Sequence, residues 1–224
     1  MPNTLSSPSQ QVVHRLNVKW WGWGDPSKSY DLENHKTFLK FLQDRLHCSG
    51  DVVQQPVTVD SMKFSPAKAD AAFVQSLIGI FGVENVHLDD MDRFLHSFGK
   101  GYLDLIRAWK GTPEGLPDVV VYPANEAQIT RLFDLSTKWG FVVVPYGGAT
   151  TVVRGVSART GDNKVVLCLD FRLMNQVLNI DEKSFLAEVQ PGCLGPELER
   201  ALNSVGLTLG HFPNHSSSQA SGGG

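Results

Sequence analysis

Little in these 224 residues is available for disulfide or metal chemistry. The three cysteines, Cys48, Cys168 and Cys193, are far apart and odd in number. No pair has zinc-ligand or redox-motif spacing, so plain thiols in a reducing compartment are expected. The histidines are scattered, and no His, Cys, Asp or Glu group has the spacing of a metal site. Long apolar runs are also missing, and nothing approaches the ~20 residues needed to span a bilayer. Basic blocks are absent and the formal net charge is −3, which argues against nucleic acid and against an anionic membrane surface as the main partner. The opening "MPNTLSSPSQQ" has no apolar signal core, and residues 1–13 are expected to form a disordered leader. What is there is ordinary for a globular protein: 42% hydrophobic and 19% charged residues.

The chain changes character once. Residues 14–112 read as a mostly helical region that opens on a tryptophan-rich loop, "KWWGWGDPSKSY". Three tryptophans in four residues, interrupted by Gly22, cannot share one helix face, and Asp25-Pro26-Ser27 signals a turn. "NHKTFLKFLQDRLH" has the spacing of an amphipathic helix, with Asn34 as its expected N-cap. A mixed, proline-interrupted stretch follows, then a helix over "AAFVQSLIGIFG" ending at Gly82. A third helix spans "DDMDRFLHSFGKGYLDLIRAWKG", with Asp89, Asp90 and Asp92 in its first turn and Gly99 and Gly101 as expected breaks. From "GTPEGLPD" onward strand and helix alternate, which places a boundary near residue 113. Strands are expected at 119–122, 141–144, 164–170, 176–181 and 185–192. Helices are expected after Asn125, with Gly140 as the stop, and over "LGPELERALNSVG". The pattern is α+β rather than a doubly wound sheet.

One stretch invites chemistry. In "FVVVPYGGATTVV" a β-branched run halts at Pro145, passes two glycines and two threonines, then resumes. Pro145 has no N–H for a ladder, so the strand is expected to end there. Gly147 and Gly148 permit positive φ and close approach of a ligand to the backbone. Successive N–H groups in such a turn make an anion-binding concavity, and Thr150 and Thr151 add compact donors. Arg154 could neutralise an anion or lie on the surface. The loop is neither a P-loop nor a G-x-G-x-x-G fingerprint. Taken by itself it fits a tight turn as well as a phosphate cradle.

The surrounding sequence resembles a known pattern. "LPDVVVYPANEAQITRLFDLSTKWGFVVVPYGGATTVVRG" is similar to the opening of an FAD-binding domain of the vanillyl-alcohol-oxidase and p-cresol-methylhydroxylase type. That pattern has a P-x-x-V-x-x-P start (Pro117 to Pro123), a helix, a strand and a glycine loop. "LDFRLMNQVLNIDEKSFLAEVQPGCLGPELERALNSVGLTLGHFPN" continues the order with a V-x-x-G turn, an L-E-x-x-L helix and a G-H-x-P segment. Within that superfamily the tryptophan segment, "LDFRLMNQVLNIDE" and "GPELERAL" resemble the alkyldihydroxyacetonephosphate synthases, also called alkylglycerone-phosphate synthases. The likeness covers about residues 14–224.

The resemblance implies a helical N-terminal region followed by the first part of an FAD-binding domain, residues 113–224, incomplete at its C-terminal side. It assigns the FAD pyrophosphate to Pro145, Tyr146, Gly147, Gly148, Ala149, Thr150 and Thr151. A second loop, Asn214, His215, Ser216, Ser217, Ser218, Gln219 and Ala220, would lie near the flavin. Ala149 stands where the family has a third glycine, and Asn214 and Ala220 stand where it has Asp and Thr. Covalent members carry a histidine at the Ala149 position, so non-covalent FAD is implied. The reaction implied is redox-neutral: the acyl chain of acyl-dihydroxyacetone phosphate is exchanged for a fatty alcohol, giving an ether-lipid precursor. The family's catalytic groups are expected beyond Gly224, so no catalytic residue is named. His211 and His215 flank Pro213 in a segment expected near the cofactor, either as site groups or as packing and loop residues. The partner implied is a small-molecule lipid substrate; peripheral membrane contact and a homodimer stay open, and the setting is intracellular, peroxisome or cytoplasm. Two other readings stand beside this one: an FAD-linked oxidoreductase of a 2-hydroxy acid, of the D-lactate dehydrogenase kind, and a non-catalytic flavin-binding remnant.

Overall fold

A computed structural model describes residues 19–24, 34–47, 55–112, 114–158 and 164–210. The expected leader, Cys48 and the second loop fall outside these residues. Four strands form the main sheet: β1 (Val86–His87), β2 (Val119–Val121), β3 (Phe141–Tyr146) and β4 (Val165–Asp170). Their spatial order is β1-β2-β4-β3, with β2, β4 and β3 mutually parallel and β1 antiparallel at one edge. A separate antiparallel hairpin joins β5 (Val177–Asp181) to β6 (Leu186–Val189). The helices are α1 (Lys36–Leu46), α2 (Ala71–Phe81), α3 (Asp90–Leu95), α4 (Tyr102–Trp109), α5 (Glu126–Leu135) and α6 (Gly195–Asn203). The class is α+β, as the alternation of elements led one to expect. Among the described residues no helix is long and apolar enough to cross a membrane.

Both faces of the parallel strands are buried, which is why their sequences are continuously apolar rather than alternating. On one face Val119, Val121, Leu167 and Leu169 meet Phe73, Leu77, Ile80 and Phe81 of α2 and Leu132 of α5. On the other face Val120, Val166 and Cys168 pack with Val144, Tyr146, Ala149 and Val156. The first face is completed by residues on both sides of position 113. Two buried charged groups stitch the extended segment before α2 onto this core. Asp118 accepts from the Lys68 and Val166 amides, each at 2.8 Å. Arg93 donates to the carbonyls of Pro117 and Ser65, at 2.8 and 2.9 Å.

Helix ends follow local chemistry in most places. Asp70 caps α2 and Asn125 caps α5 through side-chain oxygens, and Gly82 closes α2 at φ 86°. Three expectations are corrected. The N-cap of α1 is His35 rather than Asn34, with no side-chain cap bond. Helix α5 ends at Leu135, and turns fill the span before Gly140. Strand β3 runs through Pro145 to Tyr146, paired with Leu169 and Asp170. It can do so because β3 is an edge strand and Pro145 is exposed, so the missing N–H leaves no buried carbonyl without a donor. Gly99 and Gly101 do separate α3 from α4.

Candidate functional site

Directly past the end of β3 the chain turns over the carboxyl edge of the sheet. Pro145, Tyr146, Gly147, Gly148, Ala149, Thr150 and Thr151 line a single hollow of about 160 Å³, closed by Gly155, Val156, Phe171 and Pro191. No lining side chain is charged. Pro145 is exposed, Gly147, Thr150 and Thr151 are half-buried, and Tyr146, Gly148 and Ala149 are buried. The positive φ expected of Gly147 and Gly148 falls instead on Ala149, at φ 55°, the position where the sequence departs from glycine. Its methyl group is packed into the core, so burial offsets part of the conformational cost.

The main-chain N–H groups of Gly147, Gly148, Ala149 and Thr150 donate to no acceptor among the described residues. The ends of the loop, by contrast, are bonded. Phe171 N–H donates to the Tyr146 carbonyl at 3.1 Å, and Lys100 N–H donates to the Thr151 carbonyl at 2.8 Å. A row of unpaired donors held between two fixed ends is the donor set that an anion needs. Arg154 does not supply the countercharge. Its guanidinium lies 3.0 Å from Asp104 and 3.5 Å from Glu114, and its backbone is left-handed, at φ 65°.

Beneath the loop lies a buried polar network that sequence reading missed. Asp92 looked like one of three acidic residues suited to a helix start. Asp89 takes that role, accepting from Asp92 N–H at 2.9 Å. The Asp92 side chain points inward instead and is fully buried. Tyr122 donates its hydroxyl to it at 2.7 Å, His87 approaches at 2.8 Å and His96 at 3.1 Å. His96 Nδ1 also meets the Asp92 carbonyl at 2.7 Å, while its Nε2 meets Asp170 at 2.8 Å. The nearest partner of each ring nitrogen is an acceptor, and the one donor, Arg172 Nη2, stands farther off at 3.4 Å, so both ring nitrogens donate and the ring is an imidazolium. Burial opposes that charge, but the Asp92 and Asp170 carboxylates outweigh it and raise the His96 pKa to about 9. Arg172 donates to Asp170 through Nε at 3.0 Å and lies over the Tyr122 ring at 5.0 Å. Burial pushes the Asp170 pKa up, and Arg172 and His96 more than reverse it, so the carboxyl stays ionised.

This network supports the hollow from below. The His96 and Tyr146 rings are 4.3 Å apart, and the Tyr146 hydroxyl donates to the Leu95 carbonyl at 3.0 Å. Paired with two cations, Asp170 presents no net repulsion to an anion above it. His87, Asp89 and Asp92 each offer a ligand atom within 4.8 Å of the others; His87 Nδ1 lies 2.8 Å from Asp92 as an ion-pair contact without hydrogen-bond geometry. The buried Cys168 and Cys193 are free thiols, and burial raises the pKa of both. Asn214 to Ala220, together with His211, lie outside the described residues. A partial signal for the missed network was present, since "LDFR" carries Asp170 and Arg172. The pairing of Asp92 with residues far along the chain was not readable from spacing.

Residues 117–224 match the FAD binding domain family. Alkyldihydroxyacetonephosphate synthase of Dictyostelium discoideum is 29% identical over 92% of this chain and 38% of its own length. The enzyme of the same name from Trypanosoma brucei brucei is 32% identical over 88% of this chain and 35% of its own. A solved alkyldihydroxyacetonephosphate synthase structure superposes with a TM-score of 0.80 at 27% identity, over 92% of this chain and 42% of that one.

The chain is a homologue of the alkyldihydroxyacetonephosphate synthases.

Residues 117–224 form an FAD binding domain, and FAD is the cofactor of that domain. The likeness to the synthases runs well before residue 117, into the helical region. The chain spans less than half the length of these synthase relatives.

Proposed function

We propose that this chain is the N-terminal part of an FAD-dependent alkylglycerone-phosphate synthase, which exchanges the acyl chain of acyl-dihydroxyacetone phosphate for a fatty alcohol. What supports the reading most is the loop after β3, where four consecutive residues line a hollow and their main-chain amides have no acceptor among the described residues. Those amides, with the Thr150 and Thr151 hydroxyls, would hold the FAD pyrophosphate. The hollow's own surface is uncharged, so the grip is by main-chain dipoles rather than by a fixed counter-ion. Tyr146 and Phe171 would wall the site and exclude water. Ala149 offers no nucleophilic side chain for a covalent flavin bond, so FAD would be retained non-covalently. When bound, FAD supplies the chemistry of the exchange, and the groups acting on the lipid substrate would come from chain outside these residues. The synthase reading is favoured over a 2-hydroxy-acid oxidoreductase because the likeness to synthases takes in the region before the flavin domain, at 88–92% of the chain.

The test is product analysis on the intact protein with acyl-dihydroxyacetone phosphate and a fatty alcohol. An ether-linked product with release of the fatty acid, and no net flavin reduction, is expected. Flavin reduction by a 2-hydroxy acid without ether formation would contradict the reading.

A further inference from the structure

The tryptophan-glycine loop of residues 19–24 has no part in the site as described so far, yet one side chain connects it to the cofactor loop. Lys100 is 9% exposed and sits between the two glycines that separate α3 from α4. Its Nζ donates to the carbonyls of Lys19 and Gly22, at 2.7 and 2.9 Å. Its main-chain N–H donates to Thr151. The tryptophan loop is itself fixed: Lys19 N–H closes on the Gly24 carbonyl at 2.9 Å, and the Trp20 ring packs edge-on against Trp21 at 5.3 Å and Phe94 at 5.6 Å.

The flanking glycines let this segment lie against the cofactor loop at backbone distance. A Cβ on Gly99 would collide with the Thr151 carbonyl oxygen, and one on Gly101 would stand 2.7 Å from the Val152 carbonyl oxygen. Burying an ammonium group is costly unless it is hydrogen-bonded, and packing alone would be served by an apolar side chain. Lys100 instead uses its ammonium to capture two carbonyls. The Tyr146 end of the cofactor loop is anchored to β4 through Phe171; the Thr151 end is anchored to Lys100.

We infer that Lys100 is a positioning residue for the cofactor loop: it straps the tryptophan-glycine loop to Thr151 and so aims the amides of Gly147 to Thr150. The inference rests on the reading that this loop holds the FAD pyrophosphate. The experiment measures, on the intact protein, FAD affinity and the rise in melting temperature that FAD produces. Lys100→Met keeps the bulk and removes the donors. It is expected to weaken FAD binding about tenfold and to shrink the FAD-induced rise. Gly101→Ala leaves every side chain in place, and its backbone, φ −66° and ψ 150°, accepts alanine. It is expected to do the same by pushing on Val152, and Lys100→Gln, which keeps a donor but not the charge or reach, replaces Lys100→Met in the test if the latter does not fold. A purely structural role would lower the apo and FAD-loaded melting temperatures together and leave affinity unchanged, which would overturn the inference. Gly148→Val, within the loop, separates the two claims. If it retains FAD, the loop reading fails and the inference with it. If it loses FAD while Lys100→Met and Gly101→Ala bind normally, only the strap fails.

Discussion

At the scale of single residues, Ala149 and His96 carry the tension in the site. Ala149 occupies a left-handed conformation that costs an L-residue about 1–2 kcal/mol, and its buried methyl returns part of that. Replacing it by valine adds a β-branch that this conformation does not accept. Ala149→Val is expected to destabilise by about 2 kcal/mol or more, read from urea unfolding. His96 is held protonated by Asp92 and Asp170, with a pKa of about 9 against 6.5 when unfolded. The folded protein therefore binds more protons than the unfolded chain between these values, and this stabilisation is complete below pH 6.5 and lost as pH rises toward 9. Lys100, whose pKa burial lowers to about 8, acts in the opposite sense above that value. Between pH 6.5 and 8 Lys100 stays mostly charged, and His87, whose pKa burial lowers but its contacts with Asp92 and Glu84 raise on balance, is common to the wild type and His96→Gln. There the wild type is expected to lose on the order of 2 kcal/mol relative to His96→Gln, and parallel stability curves for the two proteins would refute the assignment.

At the scale of elements, strands and helix starts were largely legible because their causes are local. Val119 to Val121 and Val165 to Leu169 are apolar runs of strand length, and Asp70 and Asn125 are cap residues that bond the amide three positions on. Gly99 and Gly101 announced a break between helices. The glycine loop was legible as a candidate from Gly147 and Gly148, and the structure gathers all seven of its proposed residues around one hollow. What was not legible depends on partners distant in sequence. Strand β3 passes through Pro145 because of its place at the edge of the sheet, which no local pattern reports. The Asp92 carboxylate turns inward toward Tyr122, thirty residues away, and Arg154 turns to Asp104. Helix α2 is another case: its role emerges only when Leu77, fully buried, meets β2 and β4. Leu77→Ala is expected to cost about 3 kcal/mol, measured by the shift in urea midpoint at unchanged slope.

At the scale of the whole molecule, the helical region and the flavin domain share one core. Phe73, Leu77, Ile80 and Phe81 cover the sheet face formed by Val119, Val121, Leu167 and Leu169. Residues 113–224 expressed alone would expose that face and are expected to lose cooperative thermal unfolding. A sharp transition in that fragment would show that the sheet stands without α2. The same shared architecture holds the loop's ends and leaves the middle amides available, and this is the claim on which the account turns. Amide hydrogen exchange at Gly147 to Thr150, measured with and without FAD, tests it most directly. Rapid exchange at these amides in the apoprotein and strong protection once FAD is added are expected. Amides already protected without FAD, or unchanged by saturating FAD while other regions gain protection, would contradict it.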